Sequence, residues 1–231
     1  LGKVIATLFE YGGLVVDSSP MYGRAEQTAG SIISSADGFV ATKVWTEGKT
    51  SGVQQMERSL RLFRRDCIDL MQIHNLIDVD VHMSTLLDWK ERNRIRYIGV
   101  THYANSAHPA VEQAMRRLPL DFVQINYSLD NRAAEQRLLP LARDVGIGVL
   151  INYPFGGGAL LRRLRNRPLP EFAARCGYTS WAQILLQFIL AHEAVTCVIP
   201  GTGNPDHMAD NLRAGAKIPE GVRRDIIDWW S

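Results

Sequence analysis

Short runs of apolar residues recur along the chain at intervals that leave room for a helix between them. Seven of these runs predict buried parallel strands, because they lack the strict alternation of a sheet that is half exposed to water. They are Leu14–Asp17, Phe39–Lys43, Ile68–His74, Ile95–Thr101, Phe122–Asn126, Ile147–Ile151 and Val195–Pro200.

Segments with apolar residues on one helical face fill the intervals, as in Val53–Arg65, where Met56, Leu60 and Phe63 share a face. We also predict helices over Ala133–Val145, Trp181–His192, Asp206–Ala214 and, at the start, Val4–Tyr11. Repeated strand–helix units imply right-handed crossovers and a parallel sheet. No repeat or linker divides the sequence, so we predict a single α/β domain, a TIM barrel, over residues 1–231.

Polar residues stand at or just beyond the carboxyl ends of the first three predicted strands. Asp17, Lys43 and His74 each end an apolar run, and Tyr22 follows Asp17 in a loop. In a parallel barrel these ends converge at one mouth. A phenol has a pKa of about 10, and a neighbouring ammonium lowers that pKa. Together the four residues could protonate an oxyanion formed when hydride reaches a carbonyl carbon.

Six segments carry a resemblance to one protein family. The chain resembles an aldo-keto reductase in Asp17–Gly23, in the Thr-Lys strand end at 42–43 and in the strand 69–74 that ends in Ile-His. Later strand ends at 99–103, 123–127 and 199–202 are similar to the family's in the same order. The resemblance implies a (β/α)8 barrel in which Tyr22 is the general acid, Lys43 and Asp17 tune it, and His74 orients the carbonyl.

Each of these four residues, taken alone, also fits a structural role. Asp17 could cap a helix, Tyr22 could pack on the surface, Lys43 could emerge into solvent and His74 could be a satisfied core residue. Four such coincidences at matching strand ends favour the catalytic interpretation.

Two segments are shorter than the resemblance implies. The chain opens on the helix-like Val4–Tyr11, so the first strand of the barrel is absent from the sequence given. The interval from Tyr22 to Lys43 is also short, and Gly30–Gly38 leaves room for little more than the end of a helix. Since a barrel without one strand would expose two sheet edges, we expect the working protein to have the missing strand.

The resemblance also implies where the nicotinamide end of a cofactor binds. Thr101 and Gln124 match residues that hold the carboxamide, and His102 stands where Asn is usual. At the next strand end the family stacks an aromatic ring on the nicotinamide. Alignment on Pro154 puts Asn152 at that position and Tyr153 one residue later, so either the ring shifts register or the contact is polar.

Glycine-rich turns after the last two strands predict phosphate sites. The turn that begins Pro154, Phe155, Gly156 lets backbone amides approach an anion, and one of the arginines that follow could reach a phosphate. Gly201, Thr202 and Gly203 precede a helix capped near Asn204, and helix starts bind phosphate. The resemblance implies an adenine contact at Asn211, whereas Gly201 and His207 replace the usual cations for a 2′-phosphate. We favour NADP(H) as the cofactor, with NAD(H) as the alternative.

The substrate side of the mouth is predicted to be apolar, with Met21, Trp45 and Tyr103 as its wall. We interpret Trp229 and Trp230 as helix packing instead. An aromatic pocket suits aldehydes and ketones of varied shape.

Composition removes several classes of function. A formal charge of +2 gives no pull toward nucleic acid or membrane, and no apolar stretch has the roughly 18 residues of a membrane span. Three scattered cysteines predict no disulfide framework and a reducing compartment, the cytoplasm. The six dispersed histidines lack the spacing of a metal site. The sequence leaves the oligomeric state open.

The sequence thus predicts an NAD(P)H-dependent reductase of small carbonyl compounds. Two alternatives belong to other classes: a cofactor-binding regulatory subunit on the same barrel, and an unrelated barrel lyase or isomerase. The latter would need a carboxylate cluster or a Schiff-base lysine, and Lys43 is the only strand-end lysine.

Overall fold

The strands follow one another across one parallel sheet in the order in which they occur along the chain. The structure, a computed structural model, describes residues 1–33, 38–215, 219 and 221–231. Within those residues the strands are β1 (Val15–Asp17), β2 (Phe39–Val44), β3 (Ile68–His74), β4 (Ile95–His102), β5 (Phe122–Asn126), β6 (Gly148–Asn152) and β7 (Cys197–Val198). The sheet curls so that β1 and β7 line the same cavity without pairing with each other. The predicted α/β barrel architecture is confirmed.

Helices occupy the intervals between the strands. They are α1 (Gly2–Glu10), α2 (Ala25–Gly30), α3 (Lys49–Phe63), α4 (Val79–Glu91), α5 (His108–Arg117), α6 (Leu138–Val145), α7 (Ala159–Leu164), α8 (Glu171–Cys176), α9 (Trp181–Leu190), α10 (Pro205–Arg213) and α11 (Val222–Trp230). Short 3₁₀ turns lie at Asn105–Ala107 and Ala133–Gln136. No helix of the described ranges is both long and apolar enough to cross a membrane. Part of Gly30–Gly38, where we expected little more than a helix end, lies outside the described residues.

The single helix predicted over Ala133–Val145 is wrong, because the structure divides it. A 3₁₀ turn covers Ala133–Gln136 and α6 begins at Leu138. Pro140 explains the break: inside a continuous helix its ring would collide with the carbonyl of Gln136. In the observed arrangement Pro140 lies in the first turn of α6, where no intrahelical N–H bond is needed.

The predicted strand Val195–Pro200 is also longer than the observed β7. Only Cys197 and Val198 pair in register, with Leu150 and Ile151 of β6. In the described part of the chain β7 pairs with a neighbouring strand on one side only. Such a strand forms about half as many interstrand hydrogen bonds, so fewer of its residues are held in an extended conformation.

Alternate residues of each strand point into the barrel, and their character changes along its axis. At the amino-terminal end Phe39, Tyr97 and Phe122 contact one another, with ring centroids 5.5–6.1 Å apart. The next level is a small apolar cluster of Ala41, Leu70 and Leu150. Two residues further along the strands, the inward side chains are polar. Aromatic packing therefore closes one end of the barrel, and the chemistry lies at the other.

The larger core lies between the outer face of the sheet and the helices. Strand residues such as Val40, Ile73 and Val123 are fully buried there, as are Leu86 and Phe188 from α4 and α9. The helices pack on the outer face of the sheet in this way and help to position the strand ends.

Gly30 is a point of close contact between α2 and α3, and we predict that Gly30→Ala destabilises the protein. A Cβ at this position would collide with the Leu62 carbonyl and lie 2.6 Å from the Phe63 Cα. Backbone must therefore move, and overpacking of this kind costs about 1–3 kcal/mol. Gly2→Ala is the control, since a Cβ there meets nothing within 4 Å. Thermal and urea unfolding of both variants will measure the difference, and equal stabilities would contradict the helix contact.

Candidate active site

Lys43 and Asp17 form a buried ion pair at the carboxyl ends of β2 and β1. The Lys43 side chain has no exposed surface, and its Nζ lies 2.6 Å from Oδ2 of Asp17. The ammonium also donates to the carbonyl oxygen of Ser18 at 2.7 Å. Burying two charges is costly, and close pairing with further hydrogen bonds is what offsets that cost.

Two glutamines donate hydrogen bonds to the second carboxylate oxygen of Asp17. Its Oδ1 accepts hydrogen bonds of 3.1 Å from Nε2 of Gln72 and from Nε2 of Gln124. Sequence reasoning missed Gln72, although it lies two residues before His74 and therefore on the same inward face of β3. Gln124, predicted as a cofactor residue, thus connects β5 to the ion pair.

Tyr22 lies in the loop after β1, above this pair. Its ring meets the edge of the His74 ring at a centroid distance of 6.3 Å, and Lys43 Nζ lies 5.5 Å from the centroid of the phenol. About half of the Tyr22 side-chain surface, 49%, is exposed. The structure therefore brings together the four predicted catalytic residues, with the phenol open to the cavity.

The expected lowering of the Tyr22 pKa by Lys43 is wrong for this structure. Burial of the phenol raises the pKa of Tyr22, and the neighbouring Asp17 carboxylate raises it further. Lys43 does not reverse this, because its charge is paired with Asp17. Tyr22 consequently remains a protonated phenol at neutral pH, which is the form that can donate a proton.

His74 lies at the mouth end of β3 and is neutral. Burial, with the positive charges of Lys43 and His102 adding to it, lowers the pKa of His74 to about 4. The Trp45 ring is 6.3 Å from the imidazole. A neutral imidazole can donate one hydrogen bond and accept another.

Glu26 of α2, four residues after Tyr22, anchors the far end of the loop that carries the phenol. One oxygen of this buried carboxylate accepts from the Thr42 hydroxyl at 2.6 Å and from the Ser59 hydroxyl at 2.8 Å. Thr42 points outward from β2, while its neighbour Lys43 points inward to Asp17. β2 therefore holds both ends of the loop.

A cavity of about 1700 Å³ extends from Tyr22 to the start of α10. Most of the predicted residues line it: Asp17, Met21, Tyr22, Trp45, His74, Thr101, Tyr103, Gln124, Asn152, Tyr153, Pro154, Phe155, Gly201, Thr202, His207 and Asn211. One continuous space thus connects Asp17, Tyr22 and His74 with both predicted phosphate turns, whereas the fully buried Lys43 does not line it.

Comparison with known proteins assigns the family. The aldo/keto reductase family model matches residues 2–220. This chain belongs to the aldo/keto reductase family. The family is one of oxidoreductases, so the assignment agrees with the chemistry of the polar cluster.

Solved structures similar to this aldo/keto reductase share its fold. An aldo-keto reductase from Klebsiella pneumoniae in complex with NADPH has a TM-score of 0.85 at 23% identity, covering 99% of this chain and 84% of the other. An aldo-keto reductase from Bacillus halodurans, in its holo form, has a TM-score of 0.81 at 23% identity, covering 100% and 86%. A glycerol dehydrogenase from Gluconobacter oxydans has a TM-score of 0.81 at 20% identity, covering 98% and 83%.

Three predicted cofactor residues of this aldo/keto reductase do not line the cavity: His102, Gly156 and Gly203. His102 is the informative case. It follows the inward-facing Thr101 on β4, and consecutive strand residues point to opposite faces. Its Nδ1 accepts from the Ala104 N–H at 3.1 Å, and its ring stacks on Tyr103. We expected the side chain at this position to hydrogen-bond the cofactor. In the structure, Nδ1 of His102 is instead bonded to the backbone two residues further along.

Asn152 and Tyr153, the two candidates for the nicotinamide contact, both line the cavity. Asn152 is the last residue of β6, and its side chain points into the barrel. Its buried Oδ1 has no hydrogen-bond partner among the described residues. Tyr153 has a left-handed backbone with φ of 52°, a conformation that is uncommon for a residue with a side chain. Its ring is half exposed and stacks on Tyr103 at 6.1 Å. The cavity is thus lined by the aromatic ring of Tyr153 next to the unpartnered hydrogen-bond acceptor of Asn152.

The phosphate end of the cavity has a glycine cradle. Gly156, Gly157 and Gly158 have φ values of 55°, 63° and 85°, which only glycine adopts without strain. Arg165 lines the same cavity, whereas Arg163 lies over the Trp230 ring. Of the arginines that follow the turn, Arg165 is placed to meet an anion.

The second phosphate turn leads into α10. Asn204 caps this helix, its Oδ1 accepting from the Asp206 N–H at 2.9 Å. His207 is exposed on the first turn, and Asn211 lies one turn further along. His207 and Asn211, both predicted to contact the cofactor, therefore lie on the same face of α10, with His207 at its N-terminal end.

The aromatic wall predicted for the substrate lies at the mouth. Met21, Trp45 and Tyr103 are partly exposed there, by 43%, 38% and 54%. Trp229 packs on Trp181 with a centroid distance of 4.8 Å, in agreement with the helix-packing interpretation of the C-terminal pair.

Proposed function

We propose that this protein reduces aldehydes and ketones to alcohols with NADP(H). The observation that carries the proposal is the convergence of a protonated phenol, a neutral imidazole and a buried ammonium–carboxylate pair at one mouth of the cavity. General acid assistance by such a phenol contributes about 10²–10⁴-fold to the rate of a proton transfer.

Several residues that line the cavity suit a dinucleotide. Asn152 offers an unpartnered buried acceptor to a carboxamide N–H, while the Tyr153 ring offers a stacking face. The glycine cradle and Arg165 suit a pyrophosphate, and Asn211 faces the adenine end. The Klebsiella pneumoniae structures in complex with NADPH and with NADP and acetate support the choice of NADP(H).

When bound, the reduced nicotinamide supplies hydride to the carbonyl carbon. His74 orients the carbonyl oxygen by a hydrogen bond, and Tyr22 donates its proton to that oxygen as negative charge develops there. Lys43 and Asp17 fix the position of the phenol. Met21, Trp45 and Tyr103 keep water from the reacting atoms and accept substrates with an apolar side.

A direct assay tests the function. Loss of absorbance of the reduced nicotinamide band is followed with NADPH and a panel of aliphatic and aromatic aldehydes and ketones. Turnover with several members of the panel is expected. Tight NADPH binding without turnover would favour a regulatory subunit, and absence of NADPH binding would contradict the proposed cofactor and function.

We predict a modest preference for NADPH over NADH, of about 10-fold or less. Thr202 and backbone amides offer only neutral hydrogen bonds to a 2′-phosphate, and these are weaker than the charged fork of an arginine.

Dissociation constants of NADPH and NADH, measured by fluorescence titration, will check this preference. A preference of several hundredfold would show that a cation binds the 2′-phosphate directly.

A further inference from the structure

A buried serine contacts the imidazole of His74 on the side away from the reaction. Ser19 has 1% of its surface exposed and His74 has 6%. The Ser19 Oγ lies 3.1 Å from Nδ1 of His74. Sequence reasoning assigned no role to Ser19, which follows Asp17 and Ser18 in the loop after β1.

The hydrogen bonds of Ser19 indicate the direction in which its own hydrogen points. The backbone N–H of Met21 donates to Oγ at 3.4 Å, so one lone pair of the oxygen is in use. Within the described residues, His74 Nδ1 is the only acceptor near the hydroxyl. The hydroxyl hydrogen is therefore satisfied only if Ser19 donates it to Nδ1.

We infer that Ser19 is a positioning residue that fixes the tautomer of His74, with the imidazole hydrogen on Nε2. A neutral imidazole carries one hydrogen, and the nitrogen that accepts from a neighbour cannot hold it. Nε2 is the ring nitrogen that Ser19 leaves free, and His74 lines the cavity. An N–H on Nε2 can donate to a carbonyl oxygen, whereas a bare Nε2 would repel it.

This inference rests on the proposed function for the role of His74, but the tautomer can be measured in the protein without any substrate. The protein is labelled with ¹⁵N in its histidine rings, and long-range proton–nitrogen correlation spectra are recorded at pH 7. The signals of His74 are identified by their loss in His74→Gln. The unmodified protein is expected to show the Nε2–H tautomer at His74, and a dominant Nδ1–H tautomer would overturn the inference.

Ser19→Ala is the variant that tests the cause. Without the donor, His74 is expected to show a mixture of the two tautomers, and an unchanged Nε2–H signal in this variant would also overturn the inference. Thr85→Val is the control for loss of a buried hydroxyl, since Thr85 Oγ1 has no partner among the described residues and lies on α4, outside the cavity. The His74 signals should not change in that control.

Kinetics distinguish positioning from a general structural role. Ser19→Ala should lower kcat about tenfold, as for loss of one hydrogen bond, with the NADPH dissociation constant unchanged within twofold. In a His74→Gln background the same substitution should have no further effect on kcat, because Ser19 acts through the imidazole. An additional tenfold loss in that background would show that Ser19 acts by another route.

If the protein proves to reduce no carbonyl, the kinetic arm fails together with the proposed function, and the tautomer measurement still decides the role of Ser19.

Discussion

Tyr22→Phe should lower the rate of carbonyl reduction by about 10²–10⁴-fold while NADPH binding changes by no more than a few-fold. The phenol is the group at the mouth whose raised pKa keeps it protonated at neutral pH, and phenylalanine retains its ring without the hydroxyl. Steady-state kinetics with an aldehyde and fluorescence titration with NADPH will measure the two quantities.

Tyr97→Phe is the matched control, because Tyr97 lies in the aromatic cluster at the opposite end of the barrel. It also loses one hydroxyl and should keep the parental rate. If Tyr22→Phe retains a tenth or more of the parental activity, another residue is the proton donor.

Lys43→Met should destabilise the protein by about 3–5 kcal/mol, because it leaves the buried Asp17 carboxylate without its cation. The two glutamine amides that remain are neutral donors and do not replace the charge. Urea unfolding will measure the loss. The matched control is Lys90→Met, which breaks a partly exposed pair with Asp121 of equal length, 2.6 Å, and should cost about 1 kcal/mol or less.

The same variant should lose nearly all activity near neutral pH. With the ammonium gone, the charge of Asp17 acts on Tyr22 without compensation and raises the pKa of the phenol further, so the phenol becomes a weaker acid. Lys43→Met combined with Asp17→Asn should recover much of the stability but not the activity. Normal turnover with an unchanged pH profile in Lys43→Met would contradict the role of the pair.

The position of the proposed catalytic residues could be predicted from sequence because barrel strands end at one mouth. Asp17, Lys43 and His74 are polar residues at the ends of apolar runs, and that contrast is visible without a structure. The same logic of alternate residues would have found Gln72, two positions before His74. All seven strands were predicted within two residues of their observed ends, and the largest deviation is at β7, which pairs with one neighbour in the described residues.

The remaining features depend on tertiary contacts that no local pattern encodes. Ser19 and Glu26 resemble ordinary loop and helix residues, and only the packing of the loop on β3 and on β2 gives them partners. The direction of the shift in the Tyr22 pKa also required the structure, since it depends first on the burial of the phenol. His102 was assigned to the cofactor because it stands where the family has Asn, whereas in the structure it follows the inward-facing Thr101 and does not line the cavity.

The double attachment of the Tyr22 loop has a consequence for motion. Asp17 before the phenol and Glu26 after it are both bound to β2, so the loop cannot swing away unless buried hydrogen bonds on that strand break. Amide exchange in the loop should therefore follow the rare opening of β2 rather than fast local fluctuation. Substrate binding has little loop entropy to overcome on this side of the cavity, and more of the binding energy remains available to stabilise the transition state.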